Sequence, residues 1–239
     1  MARLHDKWKV LPHGGLTEVE PRLLTVVGTV KMPLGKFPRR MTVVGLSRKR
    51  TLIFSPVALG DRDMKRIEAL GTPEFMVVPN GFHRLDSRPW KERYPDIKIL
   101  CPPGARARVE EAVPVDDTTD VLRDRAVDFL VVEGTDEAES ALIVRRAHGT
   151  TLIVNDIIAD VRHPVGVGAK IMARLFGYGV KHPQMPREVR HAFIKDEAAL
   201  AAQLRSWAAM PDLKRLIPSH GEIIDRPKRT LERIADSLS

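Results

Sequence analysis

Short strands with helices packed outside them, a layered α/β or α+β arrangement, are what this chain predicts. Eight apolar runs rich in β-branched residues recur along it. Two of the gaps between them look like hairpin turns, and helical periodicity is confined to stretches between or after the runs.

The runs are Leu23–Val30, Met41–Leu46, Thr51–Ser55, Phe75–Pro79, Ile97–Cys101, Val127–Val132, Ala141–Val144 and Thr151–Asn155. They are short and bounded by Gly, Pro and Asp, which favours strands over buried helices. Ser47-Arg48-Lys49-Arg50 and His148-Gly149 read as hairpin connections, so much of the pairing is expected to be antiparallel and the chain to open as a meander. The first helix is expected after Asp61, a potential cap, with Met64, Ile67 and Leu70 on one face and Gly71 at its end. A second follows Asp196, where Leu200, Leu204 and Trp207 form an apolar stripe that Pro211 stops. A third begins near Pro227 and buries Leu231, Ile234 and Leu238. No repeat, low-complexity tract or linker divides the 239 residues, so a single domain over 1–239 is expected.

Composition narrows the setting. No stretch of about 18 apolar residues occurs, so a spanning helix is not expected. The start, Met1-Ala2-Arg3-Leu4-His5-Asp6-Lys7, lacks the apolar run of a secretory signal. The lone cysteine, Cys101, cannot form an internal disulfide and reads as a small buried hydrophobe. A cytoplasmic protein is the expectation. The net charge is +8, with much of the excess in Lys31, Lys36, Arg39, Arg40, Arg48, Lys49 and Arg50. No aromatic residue interleaves with these cations, so they read as solvated loop charge rather than a nucleic-acid surface.

Three apolar runs end on polar residues able to hold a metal or a proton: Val77–His83, Leu152–Asp156 and Leu216–Gly221. Residues at strand ends line sites, so His83, Asp156 and His220 are candidate ligands converging from separate strands. Asn80 and Asp86 are possible helpers, Asp86 as a fourth ligand or base beside His83. The glycine-bounded stretch His163–Pro186 could cover the site. Gly166-Val167-Gly168-Ala169-Lys170 lacks the spacing of a phosphate-binding loop, and there is no Gly-x-Ser-x-Gly elbow. Ser219, adjacent to His220, is not placed to serve as its nucleophile partner.

From about Leu23 to Gly221 these segments, in this order, resemble the metallo-β-lactamase fold. That resemblance implies a four-layer αββα sandwich of the α+β class. Thr51–Ser55 resembles the early strand that ends in an Asp-containing turn, and Phe75–His83 the strand leading into a His-x-His-x-Asp-His motif. Val131–Asp136 resembles the segment bearing the next histidine. Asn155-Asp156 resembles the Gly-Asp whose carboxylate bridges two metals, and Pro218–Gly221 the final histidine motif. More narrowly, Pro79-Asn80-Gly81-Phe82-His83 with Trp90 and Tyr94-Pro95 is similar to the DUF4336 family.

The departures from that pattern matter equally. Asn80–Asp86 stands where His-x-His-x-Asp-His would be needed, and Thr135 stands where the next histidine is expected. A dinuclear zinc site is therefore not expected. Two outcomes stay open. His83, Asp156 and His220 could hold one divalent metal (zinc, iron or manganese) for hydrolysis of an unknown small-molecule substrate. Alternatively, a metal-free cluster could bind a ligand or satisfy buried polarity in a non-catalytic scaffold.

Overall fold

The structure, a computed structural model, describes residues 4–32, 35–164 and 167–238. Two sheets face each other. The first has six strands in sequential order: β1 (Thr17–Glu20), β2 (Leu23–Met32), β3 (Gly35–Leu46), β4 (Arg50–Phe54), β5 (Thr72–Val77) and β6 (Lys98–Leu100). The second runs β10 (Leu213–Gly221), β9 (Gly149–Asp160), β8 (Ser140–Arg146) and β7 (Val127–Val131). Pairing is antiparallel from β1 to β4 and from β7 to β9. It is parallel where a helix or long crossover intervenes, at β4–β5, β5–β6 and β9–β10.

Period-2 alternation along the strands explains the layering. Leu52 and Phe54 of β4, and Phe75 and Val77 of β5, face inward. There they meet Val127, Phe129, Leu142, Val144, Ile153 and Ile217 of the second sheet. The alternate residues, including Met41, Val43, Ile53 and Met76, face outward. They pack on Met64 and Ile67 of α1 (Asp61–Leu70), Trp90 of α2 (Ser87–Arg93) and Val109 of α3 (Arg106–Glu110). The outer face of the second sheet, with Ala141, Leu152, Val154 and Leu216, is covered mainly by α6 (Glu197–Ala208) and α7 (Pro227–Asp236). Helix, sheet, sheet and helix make the four-layer αββα sandwich. Among the described residues, no helix is long and apolar enough to cross a membrane.

Several local expectations are met. Asp196 caps α6, its carboxylate accepting from Ala199 N at 2.9 Å, and Pro227 opens α7. Gly71 ends α1, but Gly60 is its N-cap and Asp61 is already in its first turn. Cys101 is buried, and burial pushes its thiol up to about 12, which leaves it a poor nucleophile.

The front basic segment departs from the expectation of solvated loop charge. Arg39 and Arg40 lie inside β3 and are buried. Arg39 pairs with Asp86, while Arg40 Nη2 donates to Gly221 O of the other sheet at 2.5 Å and Nη1 to Thr25 Oγ1 at 3.0 Å. Charge alone does not reveal such positions, because only tertiary packing supplies the partners. Arg48 and Lys49 are exposed in the β3–β4 turn as expected, while the side chains of Lys31 and Lys36 and all of Gly166 lie outside the described residues.

Strand lengths also differ. β9 runs through Asn155 and Asp156 to Asp160 instead of ending there, and His220 lies within β10. The pairing explains how polar residues sit in mid-strand. Pro218 pairs with Val154 but His220 pairs with Ala159, so β9 bulges over Asn155–Ile158 and turns Asp156 out of the ladder. Gly221, with φ of +102°, closes this junction, and a Cβ there would overlap the Asp160 carbonyl. Gly221→Ala is expected to cost about 3 kcal/mol through strain and displaced backbone, read as a lower urea midpoint with an unchanged slope.

Candidate metal centre

The site is built from ends and irregularities of strands on both sheets. After β5, Val78-Pro79 carries the chain to Asn80, whose Oδ1 accepts from Phe82 N at 2.8 Å and His83 N at 3.1 Å. That turn fixes the loop and aims His83 across the gap between the sheets. The bulge in β9 supplies Asp156, and β10 supplies His220.

The three side chains meet closely. His83 Nε2 lies 3.1 Å from Asp156 Oδ1, His220 Nε2 lies 3.0 Å from the same oxygen, and the two Nε2 atoms are 3.2 Å apart. Their outer nitrogens are held as well. His220 Nδ1 is 2.6 Å from Pro38 O, and a carbonyl only accepts, so Nδ1 carries a hydrogen and Nε2 is the nitrogen turned toward Asp156. His83 Nδ1 is 2.8 Å from Ser55 Oγ. Ser55 is itself buried with φ of +57°, a conformation that persists only where the surroundings enforce it.

Burial lowers the His83 imidazole from its ordinary value, with the Asp156 charge opposing. Burial alone would raise Asp156, but the charges and hydrogen bonds of His83 and His220 outweigh it and hold the carboxyl well below the usual range. Two imidazole nitrogens and a carboxylate oxygen thus converge on one point, where a proton or a metal ion would offset the negative charge.

Behind the ligands sits a second polar layer. Asn80 Nδ2 donates to Asp156 Oδ2 at 2.6 Å and to Glu139 Oε1 at 2.5 Å, and Asn155 Nδ2 donates to Glu139 Oε2 at 3.2 Å. Glu139 is fully buried; burial and then the Asp156 charge push its carboxyl well above the ordinary value, favouring the neutral form. Phe37 and Tyr178 meet His220 edge-on, with ring centroids 5.9 and 6.2 Å away. Asp156 and His220 keep 13 % and 11 % of their side-chain surface, so the ligand group is reachable by a small molecule.

A tetrahedral zinc with nitrogen and oxygen ligands at roughly 2.0–2.1 Å has ligand atoms roughly 3.3 Å from one another. The observed 3.0–3.2 Å spacing fits that requirement with only slight expansion. Among the described residues, His83, Asp156 and His220 form the His, Cys, Asp and Glu grouping able to hold a metal.

Asp86 lies outside that grouping. Its Oδ1 is 2.7 Å from His5 Nδ1 and its Oδ2 accepts from Arg39. Thr135, at the position where the resemblance implies a histidine, instead donates to Val132 O at 2.6 Å. Ser55 and Glu139 were missed from sequence. Ser55 carried the same signal as the others, a polar residue closing an apolar run; Glu139 precedes its run and gave none.

Neither the protein-family profiles nor the curated proteins contain a match to this chain. Solved structures do match. A DIM-1 metallo-β-lactamase exposed to ceftazidime superposes with a TM-score of 0.64 at 13 % identity, covering 97 % of this chain and 100 % of the other. A metallo-β-lactamase from Erythrobacter litoralis with β-mercaptoethanol in its active site gives 0.61 at 14 %, covering 93 % and 96 %. FIM-1 from Pseudomonas aeruginosa in its mono-zinc form gives 0.61 at 11 %, covering 96 % and 97 %. The chain has the metallo-β-lactamase fold.

Asp86 gives a prediction that separates scaffold from site. Burial raises its carboxyl, but His5 and Arg39 outweigh that and hold it below the ordinary value. Its stabilisation is therefore present above the unfolded value of about 3.9 and is lost as pH falls through the depressed folded value. Asp86→Asn is expected to lower stability by about 3 kcal/mol at neutral pH, because Arg39 is left buried without its counter-charge. Urea titrations should show the gap to wild type closing in acid, and metal content should be unchanged.

Proposed function

We propose that residues 1–239 form one domain that acts as a hydrolase with a single divalent metal ion held by His83 Nε2, His220 Nε2 and Asp156 Oδ1. The observation that carries this reading is the mutual 3.0–3.2 Å spacing of those three atoms, with each histidine held at its other nitrogen. Two imidazoles and one carboxylate suit zinc, iron or manganese. Such an ion would polarise a substrate oxygen and lower the pKa of water enough for hydrolysis near neutral pH.

The chain's own groups set up that chemistry. Pro38 O and Ser55 Oγ orient the two imidazoles so that Nε2 is the donor atom. Asn80 engages Asp156 Oδ2 with an N–H, which cannot ligate; this supports one ion rather than two. Asp86 keeps the buried Arg39 charge balanced beside His83. Phe37 and Tyr178 wall the His220 side, consistent with a covering role for the His163–Pro186 segment. The narrower likeness to the DUF4336 family is part of this proposal. It rests on Pro79–His83, Trp90 and Tyr94-Pro95, of which Asn80 and His83 are site residues.

Elemental mass spectrometry of untagged protein tests the reading. Wild type should carry about one zinc, iron or manganese per chain, and Asp156→Ala should carry none. Ser55→Ala should bind the same metal about 10–100-fold more weakly, because His83 loses its orienting partner. Metal-loaded wild type, but not Asp156→Ala, should then hydrolyse a member of an ester, thioester, lactone and phosphodiester panel. Failure of wild type to take up metal on reconstitution would sink the proposal and leave the metal-free cluster.

A further inference from the structure

Helix α4 (Val167–Leu175) presents an unusual outer face. Ile171 and Leu175 are 58 % and 59 % exposed, the most exposed large apolar side chains among the described residues. Lys170 and Arg174 are exposed beside them, and the four positions share one side of the helix. The opposite side carries Ala173, buried against Phe37 and the neighbouring Tyr178, the same two rings that pack on His220.

The surrounding sequence has one sign of charge. From Val161 to Arg187 there are Arg162, Lys170, Arg174, Lys181 and Arg187, and no aspartate or glutamate. Arg162 is paired with Asp160 at 2.8 Å. Lys170, Arg174, Lys181 and Arg187 are exposed and have no acidic partner among the described residues.

We propose that this face docks on an anionic lipid surface, with Ile171 and Leu175 entering the headgroup region, Lys170 and Arg174 meeting lipid phosphates and carboxylates, and the exposed Lys181 and Arg187 adding to the local positive charge. Large aliphatic side chains alternating with unpaired cations on one helix face suit a surface that is apolar within and negative at its boundary. Nucleic acid would use the cations but leave the aliphatic groups without partners, and that face offers no aromatic for stacking on bases. A second copy of this chain would bring two faces of like charge together, in a protein of net charge +8. Because α4 rests on the rings beside His220, the docked face would lie next to the metal centre. Docking does not depend on hydrolysis and goes beyond that reading.

Co-sedimentation of the full chain with vesicles tests the proposal. Wild type should bind phosphatidylcholine vesicles containing phosphatidylserine, bind phosphatidylcholine alone far more weakly, and lose binding as salt rises. Each cation near such a surface is worth roughly fivefold in partitioning, so K170Q/R174Q should weaken binding about 25-fold. I171S/L175S should weaken it more than tenfold. All four residues are exposed, so thermal melts of both variants should match wild type. Binding of the Asp156→Ala protein should equal wild type, which separates docking from metal chemistry. No binding of wild type to the anionic vesicles at low salt would overturn the proposal. So would binding that neither double variant weakens, salt-sensitive capture of double-stranded DNA in place of vesicles, or self-association abolished by I171S/L175S.

Discussion

The approach of His83 to His220 spans the two sheets, so everything in the site depends on the dry seam between them. His83 follows β5 of the first sheet, whereas Asp156 and His220 come from β9 and β10 of the second. Leu52, Phe54, Phe75 and Val77 on one side and Leu142, Ile153 and Ile217 on the other are almost completely buried where the sheets meet. Close packing of that kind fixes the distance between sheets, because neither can shift without opening voids. Two polar ties set the register at the site itself. Arg40 of β3 donates to the Gly221 carbonyl, and the Pro38 carbonyl accepts from His220.

Charge in this region is arranged in pairs that are largely withdrawn from water. Arg39 meets Asp86, and Glu139, held toward its neutral form, sits between two asparagine amides. Ionised Asp156 stands against two imidazoles. Each arrangement offsets the cost of removing a charge from solvent, which would otherwise be several kcal/mol per ion. The consequence is a candidate ligand group whose side chains are held by neighbouring groups of the fold. Preorganisation of this sort is what the proposed mononuclear site would draw on.

Much of the scaffold was legible because period-2 and helical patterns report directly on which faces are buried. All eight apolar runs named from sequence fall largely on strands, the helices after Asp196 and at Pro227 are where capping and proline rules put them, and the first helix begins at Asp61 itself, one residue before the start that a cap there implies. Short elements were missed for a physical reason. β1, α2, α3 and α5 (Arg187–Phe193) have seven residues or fewer, too few to establish a period, and tertiary packing holds them. The arginines of β3 misled in the same way: two adjacent cations look solvated until a partner strand and a loop carboxylate are brought to them.

For the site, sequence alone determined the candidates and their order along the chain. Polar residues that close apolar runs are costly to bury without a partner, so His83, Asp156 and His220 stood out, as Ser55 could have done. Which of them meet was decided only in three dimensions. The bulge that turns Asp156 out of β9 and the seam that sets the inter-sheet distance are properties of pairing between remote segments. The same is true of the Arg39 and His5 contacts that hold Asp86 apart and of the Glu139 carboxyl beneath Asn80. A sequence states which groups can ligate; a distance of 3 Å between groups far apart in the chain exists only after the sheets have packed.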